Sequence, residues 1–134
     1  MATLKLEIVT PEAKVYSEDV DMVTLPGVEG EMGIFPMHVP LMTQLAAGEI
    51  TARKGGQDYF LAVGDGFVEV TGDRVSILTD MAVKAENIDE AKAEEARQRA
   101  VARLAEKLDD AEVASTSAAL AHSLAQLKVK RRQR

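Results

Sequence analysis

Side chains suited to bond-making chemistry are few in this chain, and they stand far apart. There is no cysteine, which removes thiolate nucleophiles, thiolate metal sites and disulfides together. Two histidines, His38 and His122, lie in stretches of different character, and zinc takes three or four converging ligands, so no metal site is expected. Gly27-Val28-Glu29-Gly30-Glu31-Met32-Gly33 spaces its glycines by three and runs into Phe35-Pro36. Phosphate-binding glycine motifs lead into a helix instead. No Gly-x-Ser-x-Gly elbow occurs. Asp109-Asp110 reads as a turn and helix cap rather than an acid/base couple. No catalytic residue is assigned. What remains is capacity for binding: the shaped stretch carrying Glu31, Gly33, Phe35, Pro36 and His38, and the basic tail Lys128, Lys130, Arg131, Arg132 and Arg134.

The elements that must carry these residues change character near residue 86. Before it, short apolar-alternating runs are punctuated by glycine and proline; after it, neither occurs. Residues 1–86 hold 6 Lys+Arg against 14 Asp+Glu, while residues 87–134 hold 10 against 8. An acidic module followed by a mildly basic one points to an adaptor with two partner surfaces. The acidity argues against nucleic acid, whose phosphates it would repel. No apolar run approaches the roughly 20 residues that span a bilayer. The alternating Met1–Thr10 reads as a strand and not a signal peptide.

Leu4, Leu6 and Ile8 alternate with Lys5, Glu7 and Val9, a period of two that predicts a half-buried strand. Residues 13–16 and 20–25 predict two more, the latter stopped by Pro26-Gly27. Gly27 to Pro40 is expected to be a shaped loop with short edge strands. Gly55-Gly56 between residues 50–54 and 57–63 predicts a tight hairpin, and the runs 67–70 and 75–79 predict a further pair. About eight or more short strands fit an antiparallel sandwich or flattened barrel over residues 1–86.

Residues 87–134 predict a helical hairpin. Asn87 is the expected cap, with Glu90 completing a capping box. Ala93, Ala96, Ala100, Leu104 and Leu108 form the expected inner stripe of the first helix, and Val113, Leu120, Leu124 and Leu127 that of the second. Glu95 and Arg99 are helpfully spaced, whereas Glu90 and Glu94 repel. With few large side chains, the hairpin is expected to be marginal alone and to depend on docking.

Leu25-Pro26-Gly27, Gly33-Ile34-Phe35-Pro36-Met37-His38-Val39-Pro40-Leu41 and Ala62-Val63-Gly64-Asp65-Gly66-Phe67-Val68-Glu69-Val70, with the two-module order, resemble the epsilon-subunit family of the bacterial rotary (F-type) ATP synthase. The resemblance covers nearly the whole chain. It implies a β-sandwich with a C-terminal helical hairpin. It also implies a non-catalytic rotor-stalk subunit that grips the gamma subunit and sits on the c-subunit ring, peripheral to the cytoplasmic face of the bacterial inner membrane. Glu31, Gly33, Phe35, Pro36 and His38 fall in the implied contact region. In many members the hairpin extends towards the alpha and beta subunits and inhibits ATP hydrolysis, and the basic tail would then meet an acidic loop of beta. Some members bind ATP through Ile-Asp-x-x-Arg-Ala. The matching residues here are Ile88, Asp89, Lys92 and Ala93, with lysine lacking the planar fork of arginine, so ATP is implied only as a weak regulatory ligand and no cofactor is expected. From the residues alone two rivals stay open: a stand-alone sandwich binding module with a dimerising hairpin, and an enzyme with an unrecognised site between modules.

Overall fold

The computed structural model describes residues 2–132, within which the chain forms ten strands and two helices. The strands are β1 (Leu4–Val9), β2 (Lys14–Val20), β3 (Met22–Gly27), β4 (Gly30–Ile34) and β5 (His38–Leu45). They continue with β6 (Gly48–Lys54), β7 (Gln57–Val63), β8 (Gly66–Gly72), β9 (Arg74–Thr79) and β10 (Ala82–Lys84). A 3₁₀ turn (Ala85–Asn87) leads to α1 (Glu90–Leu104) and α2 (Asp110–Arg132).

The strands follow the order β10-β7-β6-β3-β5-β8-β9-β1-β2, with β4 paired to β3. Only one residue pair, Gly27 with Leu45, joins β3 to β5, and there the sheet folds over into two facing layers. Strict alternation drives the closure. Leu4, Leu6 and Ile8 point inward and are fully buried with Val23, Leu25, Ile50, Leu61, Val68, Val70, Val75 and Ile77. Most pairings are antiparallel, but β1 lies parallel to β9. Lys54 of β6 donates to Glu18 of β2 at 2.6 Å across the seam between layers. That hydrogen bond holds the Glu18 carboxyl below its ordinary range. Gly55 and Gly56, both at positive φ, make the two-residue turn between β6 and β7.

Two expectations need correction here. The segment 27–40 is mostly strand: β4 folds back on β3 as a hairpin, and β5 runs the length of the second layer against β8. Only Phe35-Pro36-Met37 bridges them, with Pro40 at an irregularity in the β5–β8 register, where a missing amide costs no ladder bond. The first helix is capped by Asp89, not Asn87: Asp89 Oδ1 accepts from the Lys92 amide at 3.1 Å. Asn87 closes the 3₁₀ turn, because Ile88 must stay extended to bury itself against Ala85, Ala125 and Val129. Asp109 caps α2 as expected, accepting from the Glu112 amide at 2.7 Å.

Helix α1 packs chiefly on α2, and α2 lies between α1 and the β6–β7 face. On α1, Ala93 and Ala100 are buried, in keeping with the expected stripe. On α2 the expected stripe holds at Leu127, which is buried, and in part at Leu120, but not at its other two positions. Val113 and Leu124 are exposed, and the buried residues are Thr116, Ser123, Ala125, Leu127 and Val129. Thr116, Ser123 and Leu127 share one helical face, while Ala125 and Val129 join Ala62, Ala85 and Ile88 in a second apolar cluster, separate from the sandwich core. A helix with two partners buries two faces.

Candidate interaction surfaces

The outer face of β5, β8 and β9 is bare. Phe67 pairs with Gln44 on one side and Leu78 on the other, and Leu78 pairs with Val9. Phe67 is 55% exposed, Leu78 60% and Met42 68%. Val28 extends the row, its amide donating to the Gln44 carbonyl at 3.2 Å. A monomeric domain seldom leaves aromatic and aliphatic side chains grouped in water unless a partner covers them. At the far end of the same strands, Phe35, Met37 and Val39 form a second exposed apolar tip, Met37 being 84% exposed. Met37 also holds φ +66, a conformation that costs a residue with a Cβ about 1–2 kcal/mol. Its amide donates to the Gly72 carbonyl at 3.1 Å, which ties the tip to the β8–β9 turn.

The expected contact residues do not all converge. Phe35 and Pro36 lie in the tip turn, and His38 opens β5, its Nδ1 donating to the Val39 carbonyl at 2.7 Å. Gly33 is exposed near the end of β4. Glu31 lies near the start of β4, about 13 Å from Phe35 along an extended chain. It borders a cleft lined by Thr24, Glu49, Arg53, Phe60 and Arg132, on the face that α2 approaches. Phe67, Leu78 and Met42 are exposed apolar residues that the sequence reading does not single out. Parity carries the signal for the first two: Val68 and Val70 face the core, so Phe67 must share the outer side with Glu69, and Leu78 with Ser76.

The opposite outer face, on β6 and β7, is covered by α2. Ala125 and Val129 pack on Ala62 beside Phe60, Met81 and Val83, and His122 Nε2 lies 3.2 Å from Asp80 Oδ2. Of the basic tail, Lys128 is exposed and Lys130 donates to the Ala85 carbonyl at 3.4 Å. Arg131 donates to Glu90 at 3.1 Å and Glu94 at 3.4 Å. Arg132 pairs with Glu49 at 2.9 Å; Arg134 lies outside the described residues. The repulsive Glu90/Glu94 spacing is thereby answered from the neighbouring helix. Hydrogen bonds from Arg97 above all hold the Glu94 carboxyl down at about 2, with Arg131 adding to the effect.

Each residue of the Ile88-Asp89-Lys92-Ala93 set already has a place in the architecture. Ile88 and Ala93 are buried, Asp89 is the α1 cap and Lys92 projects into solvent. No helix among the described residues is long and apolar enough to cross a membrane.

A sandwich with one bare apolar face and one face occupied by its own hairpin has the form of a partner-binding subunit. Residues 3–85 match the family model for the ATP synthase delta/epsilon chain β-sandwich domain, and residues 86–131 that for its long α-helix domain. The chain is 50% identical to an ATP synthase epsilon chain from Dehalococcoides mccartyi over 100% of its length and 96% of the relative's. It is 47% identical to one from Syntrophobacter fumaroxidans, covering 94% of each. Its fold superposes with TM-score 0.78 on a chain of the Euglena gracilis mitochondrial ATP synthase, solved as an OSCP/F1/c-ring assembly. That match has 28% identity and covers 96% of this chain and 81% of the other. The chain belongs to the ATP synthase delta/epsilon family, whose members are non-catalytic subunits of the central stalk.

Proposed function

We propose that the bare β5–β8–β9 face and the Phe35–Val39 tip hold this subunit between the gamma shaft and the c-subunit ring, so that ring rotation reaches gamma through the sandwich. Gly33, Phe35, Pro36 and His38 belong to this contact zone in our reading, enlarged by Met42, Phe67 and Leu78, while Glu31, beside the cleft on the α2 side, would meet a partner only at the edge of that zone. The observation that carries it is the asymmetry between the two outer faces: α2 covers one, and nothing among the described residues covers the other. The assembly would lie on the cytoplasmic face of the bacterial inner membrane, with attachment through partners.

The hairpin is the regulatory part of the proposal. Released from the sandwich, it would reach the alpha and beta subunits and slow ATP hydrolysis. ATP would act at most as a weak regulatory ligand at Ile88, Asp89, Lys92 and Ala93, because Asp89 is engaged as a cap and Lys92 offers one point charge rather than a fork. Mixing the chain with gamma should give a one-to-one complex, and Phe67→Ser with Leu78→Ser should weaken it more than about tenfold, since each buried large apolar side chain contributes about 1.5–3 kcal/mol. Unchanged association of that double variant would refute the assignment of the face. Faster hydrolysis by the assembled enzyme carrying a chain ended near residue 87 would establish inhibition, and an equal rate would leave coupling alone.

A further inference from the structure

The α2–sandwich interface is small in apolar terms. Three of the five residues in its buried cluster are alanines, Ala62, Ala85 and Ala125, beside Ile88 and Val129. Alanine burial contributes little, and the larger Phe60, Met81 and Val83 are only partly buried against the cluster, so much of a 23-residue helix rests on a modest apolar contact. The polar contacts at the end of α2 are of another quality. The Glu49 side chain is only 7% exposed, and its cation is Arg132, whose Nε donates to Oε2 at 2.9 Å. The same guanidinium lies 5.6 Å from the centre of the Phe60 ring. One residue earlier, Arg131 turns the other way and spans Glu90 and Glu94 of α1. Two consecutive arginines thus grip two different bodies, the sandwich and the first helix, at the point where all three layers meet.

A carboxylate that loses most of its water and keeps one cationic partner makes that partner strongly preferred at its side. Lifting α2 removes Arg132 and lets water back to Glu49, so the pair favours docking and its strength depends on ionic strength. Occupying the arginines elsewhere favours undocking by the same amount, as linkage demands.

We propose that Arg131 and Arg132 form an ionic clasp that sets the docking equilibrium of the hairpin, with Glu49 as its receptor on the sandwich and Glu90/Glu94 as its receptor on α1. The device is a property of the chain itself. It stands or falls independently of the shaft assignment, because both receptors of the clasp lie within the chain itself.

The test is amide hydrogen exchange on the full chain at about 50 and 500 mM sodium chloride, with the strands as internal control. In the native chain, α2 amides should exchange about threefold to fivefold faster at high salt while the strand amides do not change. Arg132→Gln should speed α2 exchange about tenfold at low salt and remove most of the salt response. Glu49→Gln should do the same, and Glu49→Arg combined with Arg132→Glu should restore slow exchange. Arg132→Lys should fall between, since it keeps the charge without the fork. The clasp is overturned if Arg132→Gln leaves α2 exchange and its salt response unchanged. It is also overturned if strand amides accelerate equally, or if the charge exchange gives no recovery.

Discussion

Val129 offers a sharp way to ask whether the molecule has two separable cores. It is fully buried, and its neighbours are Ala62, Ala85, Ile88 and Ala125, none of which belongs to the sandwich core. Val129→Ala deletes two methyl groups at about 0.8 kcal/mol each, and the residual cavity raises the loss to about 2 kcal/mol. If α2 docks through the second cluster only, that loss falls on local opening of the helix. The undocked population should rise about thirtyfold, since every 1.4 kcal/mol is a factor of ten. Native-state proteolysis reads this population directly when opening is fast relative to cleavage. Chymotrypsin should cut after Leu127, which is 3% exposed when docked, about thirtyfold faster in the variant. The sandwich transition should not move. Ile77→Val provides the converse, because Ile77 is 1% exposed within the first core: about 1 kcal/mol should be lost from the sandwich, lowering its transition by about 5 °C. A Val129→Ala chain that loses sandwich stability while Leu127 remains as protected as before would refute the division.

Other outcomes follow from single features. Gly66→Ala would drive a Cβ into the Leu78 carbonyl of the adjoining strand; the backbone must yield, and the urea midpoint should fall by an amount corresponding to about 2–3 kcal/mol. Met37→Gly relieves the positive φ at the tip, so the free chain should unfold no earlier than the native one, yet association with stalk partners should weaken because the exposed side chain is gone. Acid should loosen the hairpin. The Glu94 carboxyl is held at about 2 against an ordinary value of 4.5, so its contribution is complete above pH 4.5 and is lost as pH falls towards 2. Helical circular dichroism should therefore decline across that window, and Glu94→Gln should flatten the decline.

Much of the sandwich was legible because alternation in β1, β8 and β9 maps each residue to a side, and Gly55-Gly56 admits little except a tight turn. The exposed apolar face was legible in the same parity but was missed, since Phe67 and Leu78 look like core residues until their neighbours are assigned inward. The helix start was misread for a different reason. Asn87 and Asp89 are equally good caps locally, and Glu90 completes a box only with the first. What decides is the burial of Ile88 against α2, about 40 residues later in the chain, which no local rule contains. The stripe of α2 was right at Leu127 and wrong at Val113 and Leu124, because the periodicity rule supposes one buried face, whereas Thr116 and Ser123 pack as small polar residues on one side and Ala125 and Val129 on another. Ser123 satisfies its hydroxyl within the helix, donating to the Leu120 carbonyl at 2.9 Å. The clasp was hidden for the same reason: nothing near Glu49 in sequence announces Arg132.

The parallel register of β1 on β9 also fixes an order of events during synthesis. Leu6 lies opposite Val75 and Ile8 opposite Ile77, so the leading strand has no neighbour on that side until nearly the whole first module has left the ribosome. Loops of this span slow closure through their entropy, and the nascent chain must carry its opening apolar strand half-paired until then. The helical segment follows the whole set of strands in the chain, and the β6–β7 surface it covers is made entirely by residues before it.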